Sequence, residues 1–157
     1  MAEDCAMKDF SKDEWGLVLA GGGGKGAYQA GAFKALWEYG IQDYITAVSG
    51  ASVGALNAVL FANKDIRAAE AAWESVSMGK FLAIEPSMID GKEGLVSREG
   101  LLKMIDDYVN LGQVRTGDVT VYAAATEYDE NGEGQGSIRY FELNNRPQDE
   151  IKDILLA

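Results

Sequence analysis

Four glycines in succession, Gly21 to Gly24, follow directly on a short apolar run, and no other stretch restricts the fold as tightly. The run Trp15–Ala20 (WGLVLA) has the length and composition of a buried strand leaving a sheet. After Lys25 and Gly26 comes AYQAGAFKALWEY, where Ala27, Ala30, Phe33, Leu36 and Trp37 recur at helical spacing and Gly40 stands as the C-cap. Glycines between a strand and a helix let the backbone adopt conformations closed to other residues and approach a ligand closely. Their amides, at a helix N-terminus, suit an anion or a developing negative charge.

The strand-to-helix pattern then repeats. Ile45–Ser49 (ITAVS) reads as a second strand and Val53–Ala62 (VGALNAVLFA) as a helix of small and apolar residues, followed by a helix over Asp65–Ser77 with Asp65 at or near its start. Phe81–Gly94 contains Pro86 and two glycines and reads as a loop; Phe81, Leu82, Ile84, Met88 and Ile89 suit core packing or a lipid channel, core being favoured. Ser97 is expected to cap a helix through Val109 with a stripe of Leu101, Leu102, Ile105 and Val109. Val119–Thr126 and Ser137–Glu142 read as a hairpin around a polar loop, and Pro147 opens a final amphipathic helix. This order predicts an α/β fold with a mainly parallel central sheet flanked by helices. The chain, 1–157, is read as one domain with a polar extension over 1–14.

Composition excludes several functions. A net charge of −11 argues against nucleic acid, because phosphate contacts need concentrated Lys and Arg. It gives no attraction to anionic membranes either, so any peripheral membrane contact rests on apolar surface. A single cysteine, Cys5, allows no intrachain disulfide and no zinc site of clustered thiols. The segment Asp129–Gly134 partly imitates a calcium loop, but Tyr140 stands where the closing Glu belongs, so a solvated turn is expected and no metal or cofactor is implied. The N-terminus lacks the basic and apolar regions of a signal peptide, and no apolar run is long enough to span a bilayer, so a cytoplasmic protein is expected. There is no histidine at all, which removes every Ser-His-Asp arrangement.

Three readings of Gly21–Gly26 compete. The segment satisfies the dinucleotide pattern G-x-G-x-x-G, yet the second strand runs into Gly50 with no acidic residue at its end. A phosphate-binding P-loop needs Ser or Thr after Gly-Lys, and Gly26 stands there. The third reading, an oxyanion hole, needs a nucleophile nearby. Gly50-Ala51-Ser52-Val53-Gly54 supplies one as a G-x-S-x-G pentapeptide between an apolar strand and an apolar helix. A sharp strand-to-helix turn strains the serine, requires small residues two positions to either side, and lifts the hydroxyl above the sheet edge. Adjacent parallel strands bring both loops to one edge.

Together, LVLAGGGGKGAYQAGAFKAL and VSGASVGALNAVL resemble the patatin-like phospholipases in both signatures and their spacing, densely over Leu17–Leu60 and loosely beyond. The resemblance implies lipid acyl-ester hydrolysis of phospholipase A or lysophospholipase type through a Ser-Asp dyad, which agrees with the missing histidine. It implies Ser52 as nucleophile, an oxyanion hole from Gly21, Gly22, Gly23, Gly24, Lys25 and Gly26, chiefly the amides of Gly22 and Gly23, and an elbow of Gly50, Ala51, Val53 and Gly54. The implied aspartate belongs to a downstream Asp-Gly-Gly or Asp-Gly-Ala motif, and these residues contain none; Asp90-Gly91 is followed by Lys92 and lies too early. The domain is therefore expected to be incomplete and the chain alone severely impaired, since a serine hydroxyl without a base is a poor nucleophile. Lys25 as a substitute base is the minor reading, an anion-binding or surface lysine the major one. Self-association or a separate C-terminal half as partner follows from the same expectation, and a catalytically inactive lipid- or partner-binding module is the alternative.

Overall fold

A computed structural model describes residues 14–75, 98–128 and 136–157. Four strands form one sheet in the order β1 (Trp15–Leu19), β2 (Ile45–Ala51), β3 (Thr120–Glu127) and β4 (Ser137–Glu142). The first three run parallel, and β4 returns antiparallel to β3. Six helices are described: α1 (Gly26–Glu38), α2 (Val53–Ala62), α3 (Ile66–Ser75), α4 (Arg98–Tyr108), α5 (Leu111–Thr116) and α6 (Gln148–Leu155). This is the α/β arrangement with a mainly parallel sheet that the residue pattern predicts.

The core is built around α2. All ten of its residues are buried, as expected of a helix apolar on every side. It lies on the face of the sheet that carries Leu19, Val48, Val121 and Ala123, while Phe33 and Trp37 of α1 meet Phe61 edge-on with ring centroids 5.1 and 4.9 Å away. The opposite face is open among the described residues: Val18 is 81% exposed and Ile138 68%.

Details of the helices depart from the sequence pattern. In α1 Ala30 and Phe33 are buried and Leu36 and Trp37 half-buried, but Ala27 is exposed on the first turn. Gly40 follows one residue after the C-cap in the left-handed conformation (φ 67°), its N–H bonded to the Trp37 carbonyl. Asp65 caps α3, its Oδ1 accepting from the Ala68 amide at 3.0 Å. In α4 the inward stripe is Leu101, Met104 and Ile105, at i, i+3 and i+4; Leu102 faces outward, 37% exposed. Ser97, the segment Phe81–Gly94 and the acidic turn at Asp129–Gly134 lie outside the described residues, as does the extension except Glu14. Helix α5 is unheralded in the sequence pattern; Asn110 starts it by accepting the Gln113 amide at 3.1 Å and is bonded reciprocally to Asn63 at the end of α2.

Candidate active site

The elbow has the geometry that its small residues permit. Strand β2 pairs with β1 through Leu19↔Gly50, so the chains leave the two strands side by side at one sheet edge. Ser52 follows with φ 53° and ψ −128°, a positive-φ conformation rare for a residue with a side chain. Such strain costs on the order of 1–3 kcal/mol and persists only where the surroundings enforce it. Here the enforcement is immediate: the Ser52 carbonyl already accepts the Ala55 amide at 2.8 Å, and α2 is wholly buried from Val53 onward. A β-carbon on Gly50 would lie 2.0 Å from the Gly54 carbonyl oxygen, so the turn closes tightly only with glycine there.

Ser52 occupies the N-cap position of α2. A serine there ordinarily spends its hydroxyl on an amide of the first turn. Ser52 makes no such side-chain cap bond, and it is exposed. The hydroxyl stands at the mouth of a helix N-terminus without being consumed by it.

The glycine loop lies against this residue. A β-carbon on Gly21 would come within 3.3 Å of Ser52 Cβ and 3.2 Å of the Ala51 carbonyl oxygen. Gly22 (φ 148°) and Gly23 (φ 56°) take backbone conformations that side chains disfavour, and Gly23–Lys25 forms one turn of 3-10 helix. The turn uses the Lys25 amide, which donates to the Gly22 carbonyl at 3.2 Å, and the Gly26 amide, which donates to Gly23 and Gly24. Among the described residues the Gly22 and Gly23 amides make no turn bond of this kind. Lys25 is exposed, its side chain folded back over Gly22. Of the six loop residues, then, Gly21 lies against the elbow, the Gly22 and Gly23 amides make no turn bond among the described residues, Lys25 and Gly26 hold the turn, and Gly24 lends it a carbonyl.

A polar network beneath the loop went unread in the sequence. Asn57 is the one fully buried polar side chain among the described residues. Its Nδ2 donates to the Gly26 carbonyl at 2.9 Å and to Gln29 Oε1 at 2.8 Å, and its Oδ1 accepts from Trp73 Nε1 at 2.8 Å. Gln29 Nε2 donates in turn to the Ala20 carbonyl at 2.8 Å. The signal was present: a lone asparagine inside VGALNAVLFA must find partners, because a buried amide without them is costly. Among the described residues no group of three or more metal-ligating side chains occurs, and no helix is long and apolar enough to cross a membrane.

No curated protein and no solved structure shows significant similarity to the chain. A family model, Patatin-like phospholipase, matches residues 17–157, from the strand that leads into the glycine loop to the last residue. That family suggests lipid acyl hydrolase activity and lipid substrates, and the match takes in the end of β1, the loop, the elbow and every helix of the core. By that match the chain belongs to the patatin-like phospholipase family.

Proposed function

We propose that the chain carries the nucleophile and oxyanion-binding part of a lipid acyl-ester hydrolase, with Ser52 as the nucleophile. One observation supports this most: an exposed hydroxyl at a helix N-cap, on a strained backbone, unspent on capping and pressed against a glycine loop whose Gly22 and Gly23 amides make no turn bond among the described residues. In the reaction Ser52 Oγ attacks the acyl carbonyl carbon, and the carbonyl oxygen takes up negative charge. The amides of Gly22 and Gly23 and the positive end of α2 stabilise that charge. The ester C–O bond then breaks, the alcohol leaves, and water releases the acid from the acylated serine. The hydroxyl proton needs an acceptor, which in this reading is the aspartate of an Asp-Gly-Gly or Asp-Gly-Ala motif. These 157 residues hold no such motif, so turnover by this chain is expected to be severely impaired.

The open sheet face around Val18 and Ile138 adds a second expectation, self-association. The experiment that tests the main reading is prolonged incubation with a fluorophosphonate, followed by peptide mapping, beside hydrolysis of a short-chain nitrophenyl ester. A slow adduct on Ser52, absent in Ser52→Ala, supports it. An adduct elsewhere, or ester hydrolysis indifferent to Ser52→Ala, favours the non-catalytic module that binds lipid or a partner without turnover.

A further inference from the structure

We propose that Asn57 and Gln29 are positioning residues for the glycine loop, locking both of its ends to the helix that presents Ser52. The proposal rests on the reading of Ser52 as nucleophile and names what holds its oxyanion donors in place.

The loop is bracketed by Ala20 and Gly26, and the carbonyl of each is held by a side-chain amide. Asn57 Nδ2 holds Gly26, and Gln29 Nε2 holds Ala20. The two amides are themselves joined, Asn57 Nδ2 donating to Gln29 Oε1 at 2.8 Å. Trp73 Nε1, donating to Asn57 Oδ1, fixes which way the Asn57 amide faces, so its Nδ2 points at the loop. A continuous chain of bonds thus runs from α3 through α2 and α1 to the end of β1. Between the two anchored residues only five positions, Gly21 to Lys25, are left to place the amides over Ser52.

Packing enforces the same arrangement. A β-carbon on Gly26 would fall 2.2 Å from Trp73 Cζ2 and 3.2 Å from Asn57 Nδ2. Only glycine lets the loop descend onto the network. Stability alone does not call for asparagine at this point, because leucine would suit an all-apolar buried helix without the desolvation of an amide. What asparagine adds is direction. Oxyanion donors act only when aimed within a few tenths of an ångström, and a loop displaced by about 1 Å loses much of their effect.

The test uses the full chain carrying Cys5→Ser and Ser52→Cys, which leaves one thiol, nucleophilic without an added base. Two reactions of that thiol are compared. With nitrophenyl butyrate the thiolate attacks the carbonyl carbon, the C–S bond forms, nitrophenolate leaves, and an oxyanion develops on the way. With iodoacetamide the thiolate displaces iodide and no oxyanion forms. In this background Gln29→Met and Asn57→Leu should each lower the acylation rate about ten-fold or more while alkylation stays within about two-fold. Gln29→Glu, which keeps the acceptor for Asn57 but loses the donor to Ala20, should behave like Gln29→Met. A network that served only stability would leave the ratio of the two rates untouched. Unchanged ratios, or parallel falls in both rates, overturn the proposal. Should Asn57→Leu fail to fold, the half-buried Gln29 decides alone. A parent whose ratio equals that of free cysteine sinks the nucleophile reading and the proposal with it; a raised parent ratio with unmoved variants sinks only the positioning role.

Discussion

Gly54, on the first turn of α2, lies so close beneath Leu19 that a β-carbon on it would stand 2.2 Å from the Leu19 carbonyl oxygen. The helix that presents Ser52 is therefore seated directly on the end of the strand that launches the glycine loop. The distance between nucleophile and loop follows from this contact between backbones, since no longer side chain intervenes.

Gly54→Ala should accordingly be among the most damaging single-methyl additions, because backbone rather than a flexible side chain must move. Overpacking of this kind costs about 1–3 kcal/mol, and the loss should appear as a lower urea midpoint. Gly31→Ala provides the contrast: nothing lies within 4 Å of its added carbon, and it sits inside α1, so it should stabilise by about 0.5–1 kcal/mol.

Ser52→Gly should raise stability by about 1 kcal/mol, since glycine accepts φ 53° without strain. Ser52→Ala keeps the strain and should sit near the parent in urea unfolding. Both remove the hydroxyl, so neither should form an adduct there. Equal midpoints for the glycine and alanine variants would show that the elbow is not under strain.

Lys64 and Asp118 pair at 2.7 Å, and the hydrogen bond from Lys64 holds the Asp118 carboxyl below the usual carboxylate range. A lowered folded-state pKa means stability that is present above the ordinary carboxylate pKa, about 4, and is lost as pH falls through the lowered value. The Asp118 side chain is 73% exposed and that of Lys64 41%, so solvent screens the pair and it contributes no more than about 0.5 kcal/mol. Asp118→Asn should cost that much at neutral pH, and the gap to the parent should close on acidification; a gap that widened would reverse the sign.

The exposed apolar residues Val18 and Ile138 predict concentration-dependent self-association, visible by light scattering. Val18→Lys together with Ile138→Lys should shift the chain toward monomer. A parent already monomeric at high concentration would contradict this.

Much of the fold was legible because its signals are local. The run WGLVLA, the glycines and the pentapeptide around Ser52 mark two strand-to-helix turns by composition alone, and parallel pairing of the strands brings them together. The hairpin and the start of α3 near Asp65 were legible for the same reason. What escaped depends on contacts distant in sequence. Asn57 meets Gly26 across 31 residues and Trp73 across 16, so its partners have no sequence period. Leu102 and Met104 show the related limit: both are apolar in one helix, and only the direction of the neighbouring helix decides which turns inward. The short helix α5 rests on the Asn63–Asn110 exchange, again between residues far apart in sequence.

The central claim is that the side chain at position 52 faces backbone donors placed to receive an oxyanion. Its most direct measurement is the ratio of acylation to alkylation for the single thiol of the Cys5→Ser, Ser52→Cys chain, set against free cysteine under the same conditions. The account predicts a ratio raised about ten-fold or more. A ratio no greater than that of free cysteine would show that the loop does not serve the elbow, and would contradict it.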